Sequence, residues 1–400
     1  MLQDQNILIN SKNEVTSEAE TCEIELSIVM PCLNEDSTVH LCVWKAKTFL
    51  NEHGIKGEVI ISDNGSTDSS IERAKAAGAM VVCSDEKGYG AALMNGIKSS
   101  KGKYIIMADS DDSYDFLEML PLLEQLRLGY DLVVGNRFTN KMKKGAMPWL
   151  HQYLGNPVLS FIGKTFFKSE ISDFHCGLRG FSKLAYEIMN LQTTGMEFAS
   201  EMIVKATLNK LKMIDVPVTL YPDGRDGKSH LKTWSDGWRH LRFLLLYSPR
   251  WLFLYPGIML MIFGFTVTLW ALPNPYQTLD IHTILFAVGA ILIGFQSVFF
   301  AISTKAFAVH EKLVPRFSWL ENAIDKISLE LALKIGTIFL ILGGIGLVYL
   351  ITIWLNNYFF ELGITITMRI AIFSFTFLVF GFQIIFSFFF YSYLKIQLKK

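Results

Sequence analysis

Lys103–Asp115 reads KYIIMADSDDSYD, and the reading of this stretch decides the fold. The apolar run Tyr104–Ala108 has the length and composition of a buried strand. It ends in three carboxylates, Asp109, Asp111 and Asp112. Where a strand leaves its sheet, an Asp-x-Asp step sets two carboxylates on one side, close enough to share a hard cation. Open α/β sheets bind ligands just beyond the carboxyl ends of their strands, where a divalent metal can neutralise a diphosphate leaving group. A plain polar turn has a similar composition, because Asp and Ser are common turn formers. The flanking sequence separates the two readings.

On the N-terminal side, Glu25–Met30 reads as a strand stopped at Pro31, and PCLNED leads into a helix over 37–53. Glu58–Ser62 is a second strand, closed by Asp63-Asn64-Gly65-Ser66-Thr67-Asp68 and a capped helix up to Ala77. A third strand, Ala79–Cys83, is followed by Asp85-Glu86-Lys87-Gly88-Tyr89-Gly90 and a small-residue helix, Ala91–Ser100. Beyond the acidic strand come a helix over 116–128 and a fifth strand, Asp131–Gly135, ending in Asn136-Arg137. Strands alternating with helices at this spacing predict a doubly wound, mostly parallel α/β sheet, so the loops that follow its strands converge on one edge. There Asn34, Glu35 and Asp63 have the amide and carboxylate groups that read a base and ribose. Gly88 and Gly90, without side chains, let the backbone approach a pyrophosphate, and Lys87 adds positive charge. Each of these residues alone is also an ordinary turn former.

PCLNED, SDNGSTD, KGYGAALMNGIKSSKGKYIIMADSD and GNRF resemble, in order and spacing, the signature stretches of glycosyltransferase family 2. More narrowly they look like the polyprenyl-phosphate hexosyltransferases, the dolichyl-phosphate mannose or glucose synthase type, over residues 23–235. The resemblance implies a GT-A fold, a nucleotide-sugar donor, Mg²⁺ or Mn²⁺, and inversion at the anomeric carbon. It implies that Pro31, Asn34, Glu35 and Asp63 line the nucleotide pocket and that Asp109-Ser110-Asp111 is the DxD motif, with Asp109 and Asp111 as metal ligands. The family's usual Asp-Asp-Gly-Ser is here Asp63-Asn64-Gly65-Ser66, which leaves a contact at Asn64 open.

From 137 onward the pattern is less regular. Arg137 stands at a strand end, followed by Lys141, Lys143 and Lys144 and a helix over 149–168. DFHCGLRGFSK, 173–183, resembles the family's acceptor-side segment, which puts Asp173 near the reacting centre and Arg179 near phosphate. An N-cap for Asp173 and a surface ion pair for Arg179 are the plainer alternatives. Met196–Lys205 reads as a helix with Glu197 and Glu201 on one face, and the resemblance sets Glu201 against sugar hydroxyls. Val216–Tyr221 reads as a last strand. PDGRDGKSHLK then carries Arg225, Lys228, His230 and Lys232 in a Gly-rich loop suited to closing over a diphosphate, and equally to meeting an anionic lipid surface.

Charge is concentrated before about residue 250, and long apolar runs follow. Residues 234–250 read as an interfacial helix rich in aromatics and arginine. Four stretches are long enough to span a bilayer: about 251–272, 283–304, 331–355 and 366–391. The connection over 305–330 carries Lys305, Lys312, Arg316 and Lys326, and the tail carries Lys395, Lys399 and Lys400. The first and third connections carry no Lys or Arg. The positive-inside rule therefore puts both termini, the 23–233 domain and loop 305–330 on the cytosolic face. Arg369 mildly disagrees, but is near enough to a helix end to snorkel. Gly336, Gly343, Gly344 and Gly346 suit close helix packing, including packing between protomers in a homo-oligomer. The spans lack the clustered acids of a proton-driven transporter.

The 37 Lys and Arg balance 37 Asp and Glu, which excludes the global basicity of a nucleic-acid binder. The five cysteines (Cys22, Cys32, Cys42, Cys83, Cys176) are odd in number, lack metal spacing and fit a reducing compartment. Residues 1–22 are polar and acidic, read as a frayed tail without a signal peptide.

The expected chemistry is transfer of a hexose from a nucleotide diphosphate sugar, UDP-glucose before GDP-mannose, to a polyprenyl phosphate. Arg137, helped by Lys143, Lys144 or Arg179, is expected at the acceptor phosphate, and Asp173 orients sugar or acceptor. A processive polysaccharide synthase is the first rival. Its Gln-x-x-Arg-Trp motif is broken here, with Tyr247 in the Gln position before Arg250-Trp251. A non-catalytic scaffold that binds the lipid carrier is the second.

Overall fold

The computed structural model describes residues 24–139, 142–224, 233–272, 278–311, 327–356 and 364–397. They form two compact units, divided between Leu244 and Leu245.

The first unit alternates strand and helix as the apolar runs dictate. β1 (Leu26–Cys32), α1 (Val39–Glu52), β2 (Gly57–Asp63), α2 (Ser70–Ala76), β3 (Met80–Cys83), α3 (Tyr89–Ser99) and β4 (Tyr104–Met107) come first. A 3₁₀ turn at Phe116–Glu118 leads to α4 (Leu120–Arg127) and β5 (Leu132–Asn136). A π turn at His151–Gly155 runs into α5 (Asn156–Phe167), followed by β6 (Arg179–Ser182), α6 (Lys183–Met189), α7 (Phe198–Leu208), β7 (Met213–Pro217) and α8 (Thr233–Leu246).

The seven strands lie in the order β3-β2-β1-β4-β6-β5-β7, all pairs parallel except those of β6, which runs antiparallel to both β4 and β5. Ile28, Val29, Met30, Ile60, Ile61, Ile105, Ile106 and Met107 have no exposed surface. Such continuous apolar strands belong to a sheet covered on both faces. Register then builds the functional edge. Cys32 pairs with Asp63, so the PCLNED and DNGSTD loops leave the sheet side by side.

Two elements differ from expectation. The last strand is Met213–Pro217, not Val216–Tyr221. Its pairing ends where Pro217 meets Asn136, and the chain beyond turns to the acidic loop, with the Tyr221 N–H donating to the Ser113 carbonyl at 2.9 Å. β6 was not expected as a strand, since RGFS carries a glycine and a charge instead of an apolar alternation. Both fit because Gly180 lies against Leu126 and Arg179 is wholly buried.

The second unit begins with a π turn, Arg250–Leu254, and contains α9 (Tyr255–Ala271), α10 (Thr278–His310), α11 (Leu329–Asn356) and α12 (Ile364–Gln397). Among the described residues, four helical stretches are long and apolar enough to cross a membrane: Arg250–Ala271, Ile281–His310, Leu329–Asn356 and Ile366–Leu394. Small residues bring neighbouring helices close. Gly257 lies against Gly294 between α9 and α10, and Gly336 against Gly381 between α11 and α12. Gly343 and Gly346 face Ser374 and its neighbours in the same chain, so these contacts are within one protomer; nothing lies within 4 Å of a Cβ built at Gly344. Arg369 is buried, and its guanidinium donates to the carbonyls of Ala271 and Leu272 at 3.2 and 3.1 Å. It caps the C-terminal end of α9.

Candidate active site

β4 delivers the acidic step as its sequence requires. Ser110 is strapped inward, its hydroxyl donating to the Pro31 carbonyl at 2.7 Å while its own carbonyl accepts from Thr38 Oγ1 at 2.8 Å. That leaves Asp109 and Asp111 on either side, both half-buried. Asp109 Oδ1 accepts from the Tyr89 hydroxyl at 2.9 Å. Asp111 Oδ1 accepts from the Ser113 hydroxyl at 2.6 Å and its N–H at 3.1 Å. Asp112 departs from the pair. It adopts a positive φ of 59° and bonds Lys45 at 2.8 Å.

A glycine opposite Asp109 is a condition of the arrangement. A Cβ on Gly177 would come within 2.5 Å of Asp109 Oδ2. Burial, and then the Asp109 charge, holds the Tyr89 phenol protonated well above its ordinary range, so it remains a donor. Among the described residues no three His, Cys, Asp or Glu side chains gather into a metal cage. Two carboxylates without a third suit a Mg²⁺-type ion, which takes its remaining ligands from water and substrate phosphates.

The neighbouring loops are fixed to one another. Asn34, at φ 56°, accepts from the Thr67 N–H at 2.8 Å and donates its own N–H to Ser66 Oγ at 2.9 Å. The Glu35 N–H donates to Ser70 Oγ at 2.7 Å. Asp63 closes its own turn, accepting from the N–H groups of Gly65 and Ser66 at 2.9 and 3.1 Å. Asn64 joins this turn to the next loop, donating to the Glu86 carbonyl at 2.8 Å and accepting from the Gly88 N–H at 2.7 Å. The departure from the family's acidic residue at 64 therefore has a structural use. Pro31 lies at the β1 end, and Lys87 is exposed.

Gly88, Gly90 and Glu201 all make contacts with the 192–195 segment. Gly88 has φ 136°, and a Cβ there would collide with the Thr194 carbonyl; one on Gly90 would collide with the Thr193 carbonyl. The absence of a side chain at these two positions admits protein backbone on that side. Glu201 is fully buried and holds that backbone. It accepts from the N–H groups of Gln192 and Thr193 at 3.0 and 2.8 Å and from Thr193 Oγ1 at 2.6 Å, while pairing with Lys205 at 2.8 Å. Its oxygens face the loop and not a sugar.

Arg137 and Asp173 come together as a buried fork. Arg137 Nε donates to Oδ2 at 2.7 Å and Nη2 to Oδ1 at 2.8 Å, with 7% of Arg137 and none of Asp173 exposed. Burial works against the guanidinium charge, but the Asp173 carboxylate more than offsets it and holds Arg137 well above its ordinary range. Lys143 packs its ammonium over the Tyr221 ring at 5.7 Å, and Lys144 is exposed.

Arg179 is not placed to meet a phosphate. It is wholly buried, and its guanidinium donates to the carbonyls of Cys176, Phe174 and Ala199. Its work is to hold the 173–178 loop on α7. Arg225 and Lys228 lie outside the described residues, as do Lys141, Lys312, Arg316, Lys326 and the tail lysines 399 and 400. The Gly224 N–H nevertheless donates to the Asp111 carbonyl at 3.0 Å, so the segment leading to Arg225 starts beside the acidic pair.

Three neighbours were not anticipated. Tyr89 had no signal beyond its place between two glycines. Asp215 accepts from the Ser172 N–H at 2.8 Å and Asn136 Nδ2 at 3.2 Å, and burial pushes its carboxyl above the ordinary range. His175 follows Asp173 closely and packs edge-on against His240 at 4.5 Å. Burial, then the His240 charge, keeps His175 neutral well below its ordinary range.

Comparison with known proteins gives this geometry its family. Residues 27–188 match glycosyl transferase family 2, and residues 302–395 match the glycosyltransferase family 2 C-terminal transmembrane region. The low-salt glycan biosynthesis hexosyltransferase Agl6 of Haloferax volcanii is 36% identical over 370 residues, covering 90% of this chain and 87% of that protein. The dolichyl-phosphate hexose transferase of the same organism is 27% identical, covering 53% of this chain and 89% of its own. A crystal structure of glucosyl-3-phosphoglycerate synthase from Mycobacterium tuberculosis with Mn²⁺, uridine diphosphate and glucosyl-3-phosphoglycerate aligns at a TM-score of 0.46 and 19% identity, covering 58% of this chain and 82% of that one. The chain therefore belongs to glycosyltransferase family 2, with a GT-A catalytic domain followed by that family's C-terminal transmembrane region.

Proposed function

We propose that the protein transfers a hexose from a nucleotide diphosphate sugar to the phosphate of a polyprenol, with inversion, at the cytosolic face of a membrane. The observation that carries the reading is the Asp109-Ser110-Asp111 step, with both carboxylates at the edge of β4 and Ser110 tied inward between them. Relatives named as dolichyl-phosphate hexose transferase and dolichol-phosphate mannosyltransferase support the acceptor class.

Asp109 and Asp111 would hold Mg²⁺ or Mn²⁺, which supplies charge neutralisation for the departing nucleoside diphosphate. Everything else falls to the chain's own groups. Tyr89 fixes the Asp109 carboxylate through its hydroxyl. Ser113 fixes Asp111 in the same way. The clamped loops of Asn34, Glu35 and Asp63 receive the nucleoside, and Lys87 lies exposed beside them.

A phosphate monoester is already an anion near neutral pH, so it attacks the anomeric carbon without a strong base. One of its oxygens forms the new C–O bond as the bond to the nucleoside diphosphate breaks, and no proton must be removed. Arg137 keeps its charge beside Asp173 while Nη1, the fork nitrogen not spent on that carboxylate, is left for the acceptor phosphate. Lys143 and Lys144 add charge on the same chain segment. Asp173 acts as the orienting partner of Arg137. UDP-glucose is the preferred donor and GDP-mannose the next.

The test offers membranes containing the protein radiolabelled UDP- and GDP-sugars with polyprenyl phosphate. Label entering the organic phase from one donor supports the reading. Label in water-soluble polymer would favour a processive synthase, and no turnover with any donor would favour a non-catalytic carrier-binding protein.

A further inference from the structure

We infer that Asp215 is a positioning residue for the acceptor phosphate: one of its carboxylate oxygens spaces the two chain segments that supply Arg137 and Asp173. The inference rests on the proposed reading of Arg137 as the group that binds this phosphate. The two members of the fork come from separate places. Arg137 follows the last residue of β5, and Asp173 precedes β6 by a loop that begins to pair only at Arg179. β5 and β6 are paired as far as Val134 and Arg179, with one more bond from the Gly135 N–H to the Leu178 carbonyl at 2.9 Å. Pairing between these two strands therefore stops short of both fork residues.

β7 closes the gap. Its parallel pairing with β5 sets Asp215 opposite Val134 and Pro217 opposite Asn136. Residues opposite one another, and residues two apart along a strand, share a face of the sheet. Asp215 therefore stands on the same side as Asn136. Its Oδ2 receives two N–H groups, the backbone of Ser172 at 2.8 Å and Nδ2 of Asn136 at 3.2 Å. Ser172 immediately precedes Asp173, and Asn136 immediately precedes Arg137. One oxygen thus joins the two points from which the fork grows. Asn136 carries the restraint past Arg137, because its Oδ1 accepts from the Phe138 N–H at 3.0 Å. The Arg137 N–H, between these tethered neighbours, donates to Asp173 Oδ2 at 3.3 Å.

A carboxylate is a costly group at this position. Oδ1 of Asp215 is buried and has no hydrogen-bond partner among the described residues. Burial first, and also the like charge of Asp173, push its carboxyl above the ordinary range, against its bonds from Ser172 and Asn136. Such a group weakens the fold that encloses it; what it contributes is the placement of the two segments it binds. That placement decides where the phosphate ligand points. Arg137 gives Nε and Nη2 to Asp173, so any shift of the 172–173 segment turns the planar guanidinium and re-aims Nη1. A misplacement of about 1 Å at a reacting group can lower a rate by about 100-fold.

The test measures equilibrium binding of radiolabelled farnesyl phosphate, a short polyprenyl phosphate, to the full-length protein in detergent micelles without donor. Binding of UDP or GDP with Mn²⁺ is measured alongside. Asp215→Ala removes the bridging oxygen. Asp215→Asn keeps an oxygen that can accept from both donors, with its amide nitrogen in the place of Oδ1. Asp215→Ala is expected to weaken farnesyl phosphate binding by about tenfold, the scale of one contact in a coupled network, and to leave nucleotide binding unchanged. Asp215→Asn should recover most of that loss. Asn136→Ala cuts the bridge from its other end and should show the same selective loss, which keeps the test decisive should Asp215→Ala not fold. Unaltered farnesyl phosphate binding in the alanine variants would overturn the inference while leaving the acceptor reading intact. Equal loss of both ligands would reduce Asp215 to a general structural tie, and Asp215→Asn as weak as Asp215→Ala would show that charge and not the bridging oxygen matters; either result overturns the inference. A wild-type protein that binds nucleotide but no farnesyl phosphate would overturn the acceptor reading and the inference with it.

Discussion

Asp109 and Asp111 differ in what restrains them, and the difference is measurable. Tyr89 holds only Asp109, so Tyr89→Phe leaves both carboxylates present and removes an orienting hydrogen bond. Loss of such a partner typically weakens metal binding by about 10–100-fold. The divalent-ion concentration for half-maximal transfer should rise on that scale, with the rate restored at saturating metal; an unchanged metal requirement would remove Tyr89 from the site. Arg137 and Asp173 form the other pair. Removing one member of a buried ion pair costs on the order of 3–5 kcal/mol, so Asp173→Ala should lower the stability of the full-length protein by about that amount in denaturant titration. The placements legible in the sequence were those carried by residue type and spacing, such as Asp109 and Asp111 just past the end of β4 and Asn34 just past the end of β1. The residues that were misread, Arg179 and Glu201, are charged groups whose partners include backbone carbonyls and N–H groups of the protein itself. Residue type announces a charge but not whether a carbonyl or a phosphate receives it.

At the scale of elements, β1, β2, β4 and β5 were visible because each is a largely buried apolar run bounded by turn residues. β6 was not, since its pairing depends on β4 and β5 enclosing an arginine and a glycine that alone resemble a loop. The Gly88 turn shows the same limit. Its φ of 136° and its contact with the Thr194 carbonyl predict that Gly88→Ala displaces the 192–195 loop, lowering the thermal midpoint of the whole protein. α8 yields a pH dependence. Burial first lowers His240 to about 4, with Asp236 opposing and Arg179 reinforcing, while its Nδ1 lies 2.9 Å from Ser200 Oγ. The unfolded chain, with an ordinary His pKa of about 6.5, takes up the proton first as pH falls. Stability from this group is therefore complete above about pH 6.5 and is lost progressively towards pH 4, by roughly 3 kcal/mol. His240→Asn should flatten the fall in thermal midpoint across that range; an identical slope would show that other groups carry it.

For the whole molecule, the change from mixed charge to long apolar runs made the two-part organisation readable, and the structure divides near the same place, at Leu244. The membrane orientation is a further expectation, resting on the lysine and arginine distribution. In a Cys22→Ser background, exposed Cys83 should react with a membrane-impermeant maleimide in inside-out vesicles and not in right-side-out ones. The central claim is that the β4 carboxylates hold a divalent ion together with the donor diphosphate. Mn²⁺ binding to the full-length protein, followed by electron paramagnetic resonance with and without nucleoside diphosphate, tests it without relying on turnover. The claim predicts that UDP or GDP tightens Mn²⁺ binding to the wild-type protein and that Asp111→Asn loses the nucleotide-dependent binding at unchanged thermal stability. Equal, nucleotide-dependent Mn²⁺ binding by Asp111→Asn and wild type would contradict it.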